Sequence, residues 1–357
     1  MTEAYINKIA TAVPPYDVHH DFLRFGRSLF DNDNRRSVLF DRMAERAEID
    51  HRYSYLSPET APPEGVTSAY DFYIRGNFPS TAARMQLFER QAPMLAEAAI
   101  ARLSLGEERN RVTHLLVTCC TGFTAPGLDL EIIARCRLPD SVERTIIGFM
   151  GCYAAMNALK LARHIVRSEK SARVLVLSLE LCSLHLKETT RLDEILSFLI
   201  FADGCAASIV SADPSGLALD SFRAVLVPET QSLITWNIGD MGFDMFLSGQ
   251  VPAIIQEALR SQTSEILAGS PVNAFDSWAV HPGGRSVLDA VERALDLKPE
   301  ALAPSRAILR RFGNMSSATV MFVLEAMLRS KMNGARGCAM SFGPGLIAET
   351  MLFHHAQ

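Results

Sequence analysis

The sequence contains three segments that occur twice, in the same order and at nearly the same spacing. In the first half, a strand-like run ends at Cys120 and a helix begins at Cys152. In the second half, a similar run ends at His281 and a helix begins at Asn314, and the two separations differ by a single position. A further strand-like segment follows each helix, and its end lies equally far from the cysteine and from the asparagine. Three matches in one order predict an internal duplication.

Within the first half, short apolar runs alternate with helical patterns. The apolar runs lie at residues 113–120, 144–151 and 172–180. The helical segment that starts at Cys152 places Ala155, Leu159, Ala162 and Val166 on one face. This alternation predicts an α/β fold with a largely parallel sheet and helices on both of its faces.

The boundary between the two halves is predicted at a turn-forming run, residues 213–216. Residues 1–215 would then carry the cysteine, and residues 216–357 would carry the histidine and the asparagine. In such an arrangement Cys152 and Asn314 stand at equivalent helix starts, one in each half.

Composition argues against several classes of protein. Apolar residues make up 48% and charged residues 21% of the 357 residues, which is typical of a globular chain with a large core. The net charge of −5 argues against a general nucleic-acid binder, and no apolar run approaches the roughly 18 residues of a membrane span. The N-terminus lacks the pattern of a secretory signal. The seven cysteines include no CxxC pair, so we expect free thiols in a reducing cytoplasm and no metal site.

Cys152 is the first candidate for chemistry. It follows Gly151 at a predicted helix start, and the partial positive charge of a helix N-terminus stabilises a thiolate. The glycine leaves room for a substrate carbonyl to approach. The alternative is a buried cysteine that packs as a small hydrophobic residue, which is the usual fate of a free thiol.

His281 and Asn314 are the second and third candidates. His281 ends a strand and precedes Pro-Gly-Gly, and active sites gather at strand ends of α/β sheets. Asn314 stands at a predicted helix start, where an ordinary helix cap is the alternative. Taken together, the three side chains can converge on one site. His281 would hold Cys152 as a thiolate that attacks a thioester. His281 and Asn314 would then donate hydrogen bonds to an enolate oxygen formed when malonate loses CO2.

Four motifs resemble one family. GFMGCYAAMNALKLA, WAVHPGG, FGNMSSATV and SFGPGL are similar to segments of the type III polyketide synthases of bacterial type, the chalcone synthase-like enzymes, and the resemblance covers nearly the whole chain. It implies a thiolase fold of duplicated αβαβα halves and a homodimer without a metal or bound organic cofactor. It also implies that a starter acyl-CoA is loaded on Cys152 and extended by decarboxylative condensation with malonyl-CoA. Cyclisation would then give a pyrone or phenolic product.

The resemblance also assigns residues to the cavity. Phe201 matches the family's gatekeeper phenylalanine between the CoA tunnel and the cavity, and Met245 falls at the second gatekeeper position, where plant enzymes differ. Other positions match residues that shape or line the cavity: Cys120, Thr121, Cys182, His185 and Ser316. The loop expected to scaffold the site consists of Gly343, Pro344 and Gly345.

Two further segments carry expectations from the resemblance. Arg46 and Arg52 match a basic stretch near the CoA entrance, where they would attract the CoA phosphates, although a solvated face is an equal alternative. Ala125–Pro126 falls in a segment that often holds a cis proline and reaches across the dimer in relatives. Because residue 125 is only an alanine, we expect its side chain to contribute little to the site of the other subunit.

Three other interpretations compete with this one. A ketoacyl-carrier-protein synthase III-like condensing enzyme shares the fold and the triad, but it usually has HxxN and GNT-like motifs where this chain has HPGG and GNMSS. A thiolase or a hydroxymethylglutaryl-CoA synthase fits less well, since no second catalytic Cys or Glu motif is evident. A non-catalytic scaffold is a different class, and the intact Cys, His and Asn argue against it.

Overall fold

Among the described residues, nine strands form one mixed sheet. The structure is a computed structural model that describes residues 2–30, 33–191, 194–195, 199–330 and 335–356. The strands are β1 (Tyr5–Ala12), β2 (Tyr16–Asp17), β3 (Tyr53–Ser54), β4 (His114–Cys119), β5 (Glu143–Gly148), β6 (Val174–Leu181), β7 (Asp203–Ser211), β8 (Leu217–Leu226), β9 (Ile234–Gly239), β10 (Gly242–Leu247), β11 (Ser277–Val280), β12 (Arg336–Gly343) and β13 (Ile347–His355). The strands β2 and β3 pair only with each other, as do β9 and β10.

The helices of the described residues surround this sheet. They are α1 (His19–Ser28), α2 (Asn34–Ala47), α3 (Ala69–Phe72), α4 (Thr81–Arg102), α5 (Leu128–Cys136), α6 (Ala154–Ser168), α7 (Val251–Ser261), α8 (Thr263–Ile266), α9 (Arg285–Leu295), α10 (Ala303–Phe312) and α11 (Thr319–Arg329). In the described part of the chain, none of them combines the length and hydropathy that a bilayer span requires.

The strand order repeats about the middle of the sheet. The order is β11-β12-β13-β8-β1-β7-β6-β4-β5, so β1 and β8 meet at the centre. Outward from there, β7, β6 and β4 on one side correspond to β13, β12 and β11 on the other. The orientations agree as well, because β4–β6 and β11–β12 are parallel while β6–β7 and β12–β13 are antiparallel. This agreement is what an internal duplication would produce.

The sheet is mixed, and a smaller part of it is parallel than the alternation of strands and helices alone predicts. Only β4–β5, β4–β6 and β11–β12 are parallel among the strand pairs of the described residues, and the other pairs of the sheet are antiparallel. The reason is visible in the chain near Gly343–Ile347. There β12 returns directly as β13 through a short turn, and a short turn can join only antiparallel strands.

Two buried helices lie behind the sheet at its centre. The predicted face of α6 is confirmed, since Ala155, Leu159, Ala162 and Val166 are all fully buried. The helix α11 is buried on every side over its first two turns. Both helices pack in one apolar cluster with strands from the two halves. Each is preceded by a short 3-10 turn, at Gly151–Tyr153 and at Ser316–Ala318.

Local signals in the sequence also hold in the structure. The hydroxyl of Ser80 accepts a hydrogen bond from the N–H of Ala83 and so caps α4, as expected for a serine at a helix start. The Ala125–Pro126 peptide bond is cis, as the resemblance implied.

Candidate active site

One cavity of about 670 Å³ brings together the three residues that the sequence singled out. Cys152 lines it from the turn before α6, His281 from the end of β11, and Asn314 from the turn before α11. The cavity is open to solvent on one side. The first half therefore supplies the thiol, and the second half supplies the imidazole and the amide.

The turn that carries Cys152 fits tightly against a loop of the second half. Gly151 has a φ of +74°, and a Cβ on it would lie 2.5 Å from Cδ of Pro344. Only glycine is compatible with both constraints. The hydroxyl of Tyr153 donates to the carbonyl of Pro344 at 3.1 Å, which fixes the same contact. Gly343 and Pro344 line the cavity, whereas Gly345 does not.

The imidazole of His281 is buried and has no hydrogen-bond partner within the described residues. Its side chain is 1% exposed, and neither Nδ1 nor Nε2 has a partner. Its backbone is held, since its N–H donates to the carbonyl of Met340 at 2.7 Å. Burial lowers the pKa of His281 to about 3, so the ring is neutral and offers one N–H donor and one nitrogen acceptor. Buried polar groups without partners are rare, and this one faces a cavity where a ligand could supply them.

The amide of Asn314 has a fixed orientation. Its Oδ1 accepts from the N–H of Ser316 at 2.8 Å, and its Nδ2 donates to the carbonyl of Gly283 at 3.2 Å. Its backbone pairs with the segment that carries Phe201, through Asn314 N to Ile200 O at 2.8 Å and Ala202 N to Asn314 O at 2.9 Å. Asn314 is not the N-cap of a helix, because Met315 holds that position before the 3-10 turn and Ala318 holds it before α11. One N–H of the amide remains for the cavity.

Cys152 is a thiol in a poorly solvated position. Burial raises the pKa of Cys152 to about 12, and hydrogen bonds from Ser316 and Asn314 oppose that rise. The buried carboxyl of Glu180 adds to the rise. The helix N-terminus alone therefore does not keep this residue as a thiolate. A thiolate needs a proton acceptor, and the unpartnered ring nitrogens of His281 are available in the same cavity.

Glu180 is a residue whose importance sequence reasoning missed. It is the next-to-last residue of β6, is fully buried, and accepts hydrogen bonds from Cys120 N at 2.9 Å, Thr121 Oγ1 at 3.0 Å and Ser317 Oγ at 2.6 Å. Burial raises its pKa to about 7. A carboxylate at the end of a strand as apolar as residues 172–180 was the available signal, because such a group needs partners when buried.

His185 forms a fixed wall of the cavity. Its Nδ1 accepts from the N–H of Phe243 at 3.0 Å, and its Nε2 donates to the carbonyl of Thr121 at 2.7 Å. Its ring stacks on Phe243 with centroids 4.2 Å apart. The stack continues outward, since Phe243 contacts Phe149 at 5.6 Å and Phe149 contacts Phe123 at 5.3 Å. Both nitrogens are occupied, so His185 shapes the cavity and has none free for proton transfer.

The remaining predicted residues divide into two groups. Those that line the cavity are Cys120, Thr121, Cys182, His185, Phe201, Met245, Ser316 and Arg46. Arg52 does not. It is fully buried, and its guanidinium donates to His19 Nδ1 at 2.9 Å and to the carbonyl of Phe201 at 3.3 Å. The expectation that Arg52 attracts CoA phosphates therefore does not fit its position, and its guanidinium instead holds the backbone at Phe201.

The mouth of the cavity carries a cation that the sequence did not reveal. Arg285 lies at the start of α9 and lines the opening, as Arg46 does from α2. Arg285 is also paired with Glu48 at 3.2 Å and with Asp289 at 3.5 Å. Over the described ranges, no three side chains of His, Cys, Asp or Glu are grouped so that they could hold a metal ion.

Comparisons with known proteins agree with this architecture. The family model for the N-terminal domain of chalcone and stilbene synthases matches residues 4–214, and the model for their C-terminal domain matches residues 218–357. The crystal structure of PKS-I from the brown alga Ectocarpus siliculosus is 29% identical, covers 99% of both chains and has a TM-score of 0.89. The type III polyketide synthase domain of Steely1, a type I/III hybrid from Dictyostelium, is 24% identical, covers 99% of this chain and 100% of its own, and has a TM-score of 0.88.

These matches span both halves of the sheet and the whole cavity. The chain belongs to the chalcone and stilbene synthase family, and it is a type III polyketide synthase, an acyl-transferring condensing enzyme. The fold that the resemblance implied is thereby confirmed. The carrier-protein-dependent alternative is not favoured.

We predict that His185→Gln makes stability less dependent on pH. Burial lowers the pKa of His185 from 6.5 to about 3. Between those values the unfolded chain binds a proton that the folded chain does not, so stability falls as pH falls below about 6.5. Removing the imidazole should shrink the loss in the free energy of unfolding between pH 7 and pH 5 by about 2 kcal/mol. Urea unfolding at the two pH values measures this.

The matched control is His164→Gln, because His164 is an exposed residue of α6. It should leave the difference between the two pH values unchanged. If His185→Gln loses as much stability on acidification as the unmodified protein, the buried neutral state of His185 is not a source of pH dependence.

Proposed function

We propose that Cys152 carries the acyl chain, that His281 assists loading, and that His281 and Asn314 together assist decarboxylation and condensation. The observation that supports this most strongly is the pair of unpartnered ring nitrogens on His281, in the same cavity as the thiol and the amide. A buried imidazole without partners is costly unless a substrate or the thiol engages it. The identity of the family as acyl-transferring condensing enzymes supports the same roles.

Loading begins with transfer of the thiol proton from Cys152 to His281. The two charges form together and stabilise each other, which offsets part of the cost that burial places on each alone. The thiolate attacks the carbonyl carbon of the starter acyl-CoA, and a C–S bond to the enzyme forms. The C–S bond to CoA breaks, and the CoA thiolate takes the proton back from the imidazolium. His281 is neutral again when the acyl-enzyme is complete.

Condensation uses the neutral form of His281. The bond from the malonyl-CoA carboxylate to its α-carbon breaks, CO2 leaves, and the electron pair becomes an enolate. One N–H of the imidazole and the free N–H of the Asn314 amide can donate to the enolate oxygen. The enolate carbon then attacks the thioester on Cys152, a C–C bond forms, and the thiolate is released for the next cycle. Cyclisation of the extended chain would give a pyrone or phenolic product.

The charged side chains at the opening of the cavity support the use of CoA thioesters as substrates. Arg46 and Arg285 are cations at the opening, and guanidinium groups bind phosphate oxygens well. Phe201 and Met245 both line the cavity, in keeping with a gatekeeper role between tunnel and cavity. We propose that CoA thioesters are used without a metal or a bound organic cofactor.

We further propose a homodimer built from two such chains, each with halves at 1–215 and 216–357. The strand β5 is an edge of the sheet, so its outer backbone groups have no strand partner among the described residues. Apolar side chains are exposed around this edge: Phe123 at 39%, Leu130 at 42% and Ile146 at 43%. An open edge with exposed apolar groups favours pairing with a second copy.

We also propose a cytoplasmic location. All seven cysteines are free thiols in the structure, and free thiols persist in reducing compartments. Fractionation of cells that express a tagged copy would test this.

A product assay tests the function. Purified protein with malonyl-CoA and a panel of starter acyl-CoAs, without carrier protein, should give polyketide products by mass spectrometry. Cys152→Ala should give neither acyl-enzyme nor product, whereas Cys136→Ala should retain both, because Cys136 lies outside the cavity. Acyl-enzyme on the Cys152→Ala variant would refute the nucleophile. Product that appears only with malonyl-carrier protein would indicate the carrier-dependent class.

Asn314→Ala should separate the two chemical steps. Because the amide is assigned to the enolate, malonyl-CoA decarboxylation should slow by about 100-fold to 1,000-fold, while acyl loading slows by less than about 10-fold. Carbon dioxide release and intact-protein mass spectrometry follow the two steps. Asn237→Ala, at an exposed position of β9, is the control. Equal losses in both steps would count against the enolate role.

Ile146→Asp should weaken the dimer, because a charge would be buried where two β5 edges meet. Light scattering at micromolar concentration should show a shift toward the monomer mass. Leu226→Asp is the control, since Leu226 is 53% exposed on β8, away from that edge. A dimer that persists unchanged in the Ile146→Asp variant would place the interface elsewhere.

A further inference from the structure

The polar side chains on the inner side of the cavity are already bonded within the protein. The hydroxyl of Thr121 donates to the buried carboxylate of Glu180 and accepts a hydrogen bond from the N–H of Leu181 at 2.8 Å. The indole N–H of Trp236 donates to the carbonyl of Cys120 at 2.7 Å. Both ring nitrogens of His185 are occupied.

Two more hydroxyls that line the cavity have partners as well. Ser183 lines the cavity, and its hydroxyl donates to Asp203 at 2.6 Å. The hydroxyl of Ser248 accepts from the N–H of Gln250 at 3.2 Å and lies beside Gly249, at the exposed end of the wall. Within the described residues, the ring nitrogens of His281 and the remaining N–H of the Asn314 amide are free, and both lie at the reacting end.

An aliphatic wall lies beyond Trp236. Alternation along the hairpin of β9 and β10 puts Trp236 opposite Met245 and Ile234 opposite Leu247, all four on the cavity side. The start of α7 closes the recess with three more apolar residues: Val251, Pro252 and Ile255. Val251 and Ile255 are almost fully buried, at 2% and 1% exposed, so the base of the recess is closely packed.

Contacts connect this recess to the nucleophile. The N–H of Gly151, next to Cys152, donates to Sγ of Cys120 at 3.1 Å. The carbonyl of Cys120 in turn accepts the hydrogen bond from the indole N–H of Trp236. Cys120 thus connects the turn that carries Cys152 with Trp236 of the hairpin wall. The site is polar where the bonds change and apolar where the chain extends.

We propose that the preferred starter is the CoA thioester of a straight-chain aliphatic acid, with its hydrocarbon tail in this recess. The inference rests on the proposed acyl loading of Cys152. A hydrocarbon tail needs no hydrogen bonds and gains from burial. A hydroxylated tail or a phenol would lose its water and find no free partner on the inner wall. A growing polyketide has a carbonyl at every second carbon, so it fits the recess less well than an alkyl tail.

The first test compares matched starters with malonyl-CoA as extender. The kcat/KM for octanoyl-CoA should exceed that for 8-hydroxyoctanoyl-CoA and for 4-coumaroyl-CoA by about 10-fold to 100-fold. Along the series from butyryl-CoA upward, kcat/KM should rise about fourfold for each added methylene until the recess is full. Acyl-enzyme and products are both measured by mass spectrometry.

The second test shortens the recess. Leu247→Phe should lower kcat/KM for octanoyl-CoA at least about tenfold while butyryl-CoA is retained, because the added ring occupies the space for the far methylenes. Ile255→Phe is a second variant with the same expected result, should Leu247→Phe fold poorly. Ile238→Phe, at a position 63% exposed on the same hairpin, should leave the chain-length preference unchanged.

The outcomes separate this inference from the proposed function. If products form but hydroxylated or phenolic starters are used as well as octanoyl-CoA, the aliphatic preference is wrong and the condensing function stands. If both Leu247→Phe and Ile255→Phe keep the full chain-length preference, the recess does not hold the tail. If no starter loads on Cys152 and malonyl-CoA is not decarboxylated, the proposed function fails and the inference fails with it.

Discussion

The close contact between Gly151 and Pro344 is the constraint on which the site depends. It joins the turn of the nucleophile, which comes from the first half, to the loop between β12 and β13, which comes from the second. A side chain at residue 151 would meet the proline ring at 2.5 Å, so the two halves could not approach as they do. The thiol faces the imidazole and the amide because this contact sets the distance between the halves.

Glu180 also stabilises the packing of the two halves against each other near the site. A fully buried carboxylate is costly, and burial raises its pKa to about 7. Its oxygens are satisfied by Cys120, Thr121 and Ser317, so one group orders the end of β4 and the turn before α11 together. A network of this kind is stable when every member is bonded, and it makes the arrangement specific.

The sequence predicted the parts of the site that depend on spacing. Equal separations in the two halves placed Cys152 and Asn314 at equivalent turns, and the structure has both turns where expected. It could not predict the burial of Arg52, because the sequence of a polar segment does not show whether a charged side chain faces water or a buried carbonyl. The same limit applies to His185, whose role depends on Phe243, a residue 58 positions away.

Local sequence patterns also do not predict whether neighbouring strands are parallel or antiparallel. A buried strand is an apolar run in the sequence whether its neighbours are parallel or antiparallel. For β12 and β13, the short turn at Gly343–Ile347 makes the pairing antiparallel. The recess behind Trp236 is another feature of this kind. Its wall combines a hairpin and a helix start that are adjacent in sequence, but only their packing shows that they enclose a space.

The row of rings from Phe123 through Phe149 and Phe243 to His185 spans the distance from the outer edge of the sheet to the wall of the cavity. Closely packed rings transmit displacement, because a dense interior leaves little room to absorb it. A substitution that displaces one end of this row therefore also shifts the packing at the other end. Under the proposed pairing of two β5 edges, a change in how two copies associate would reach the cavity wall at His185 through this row.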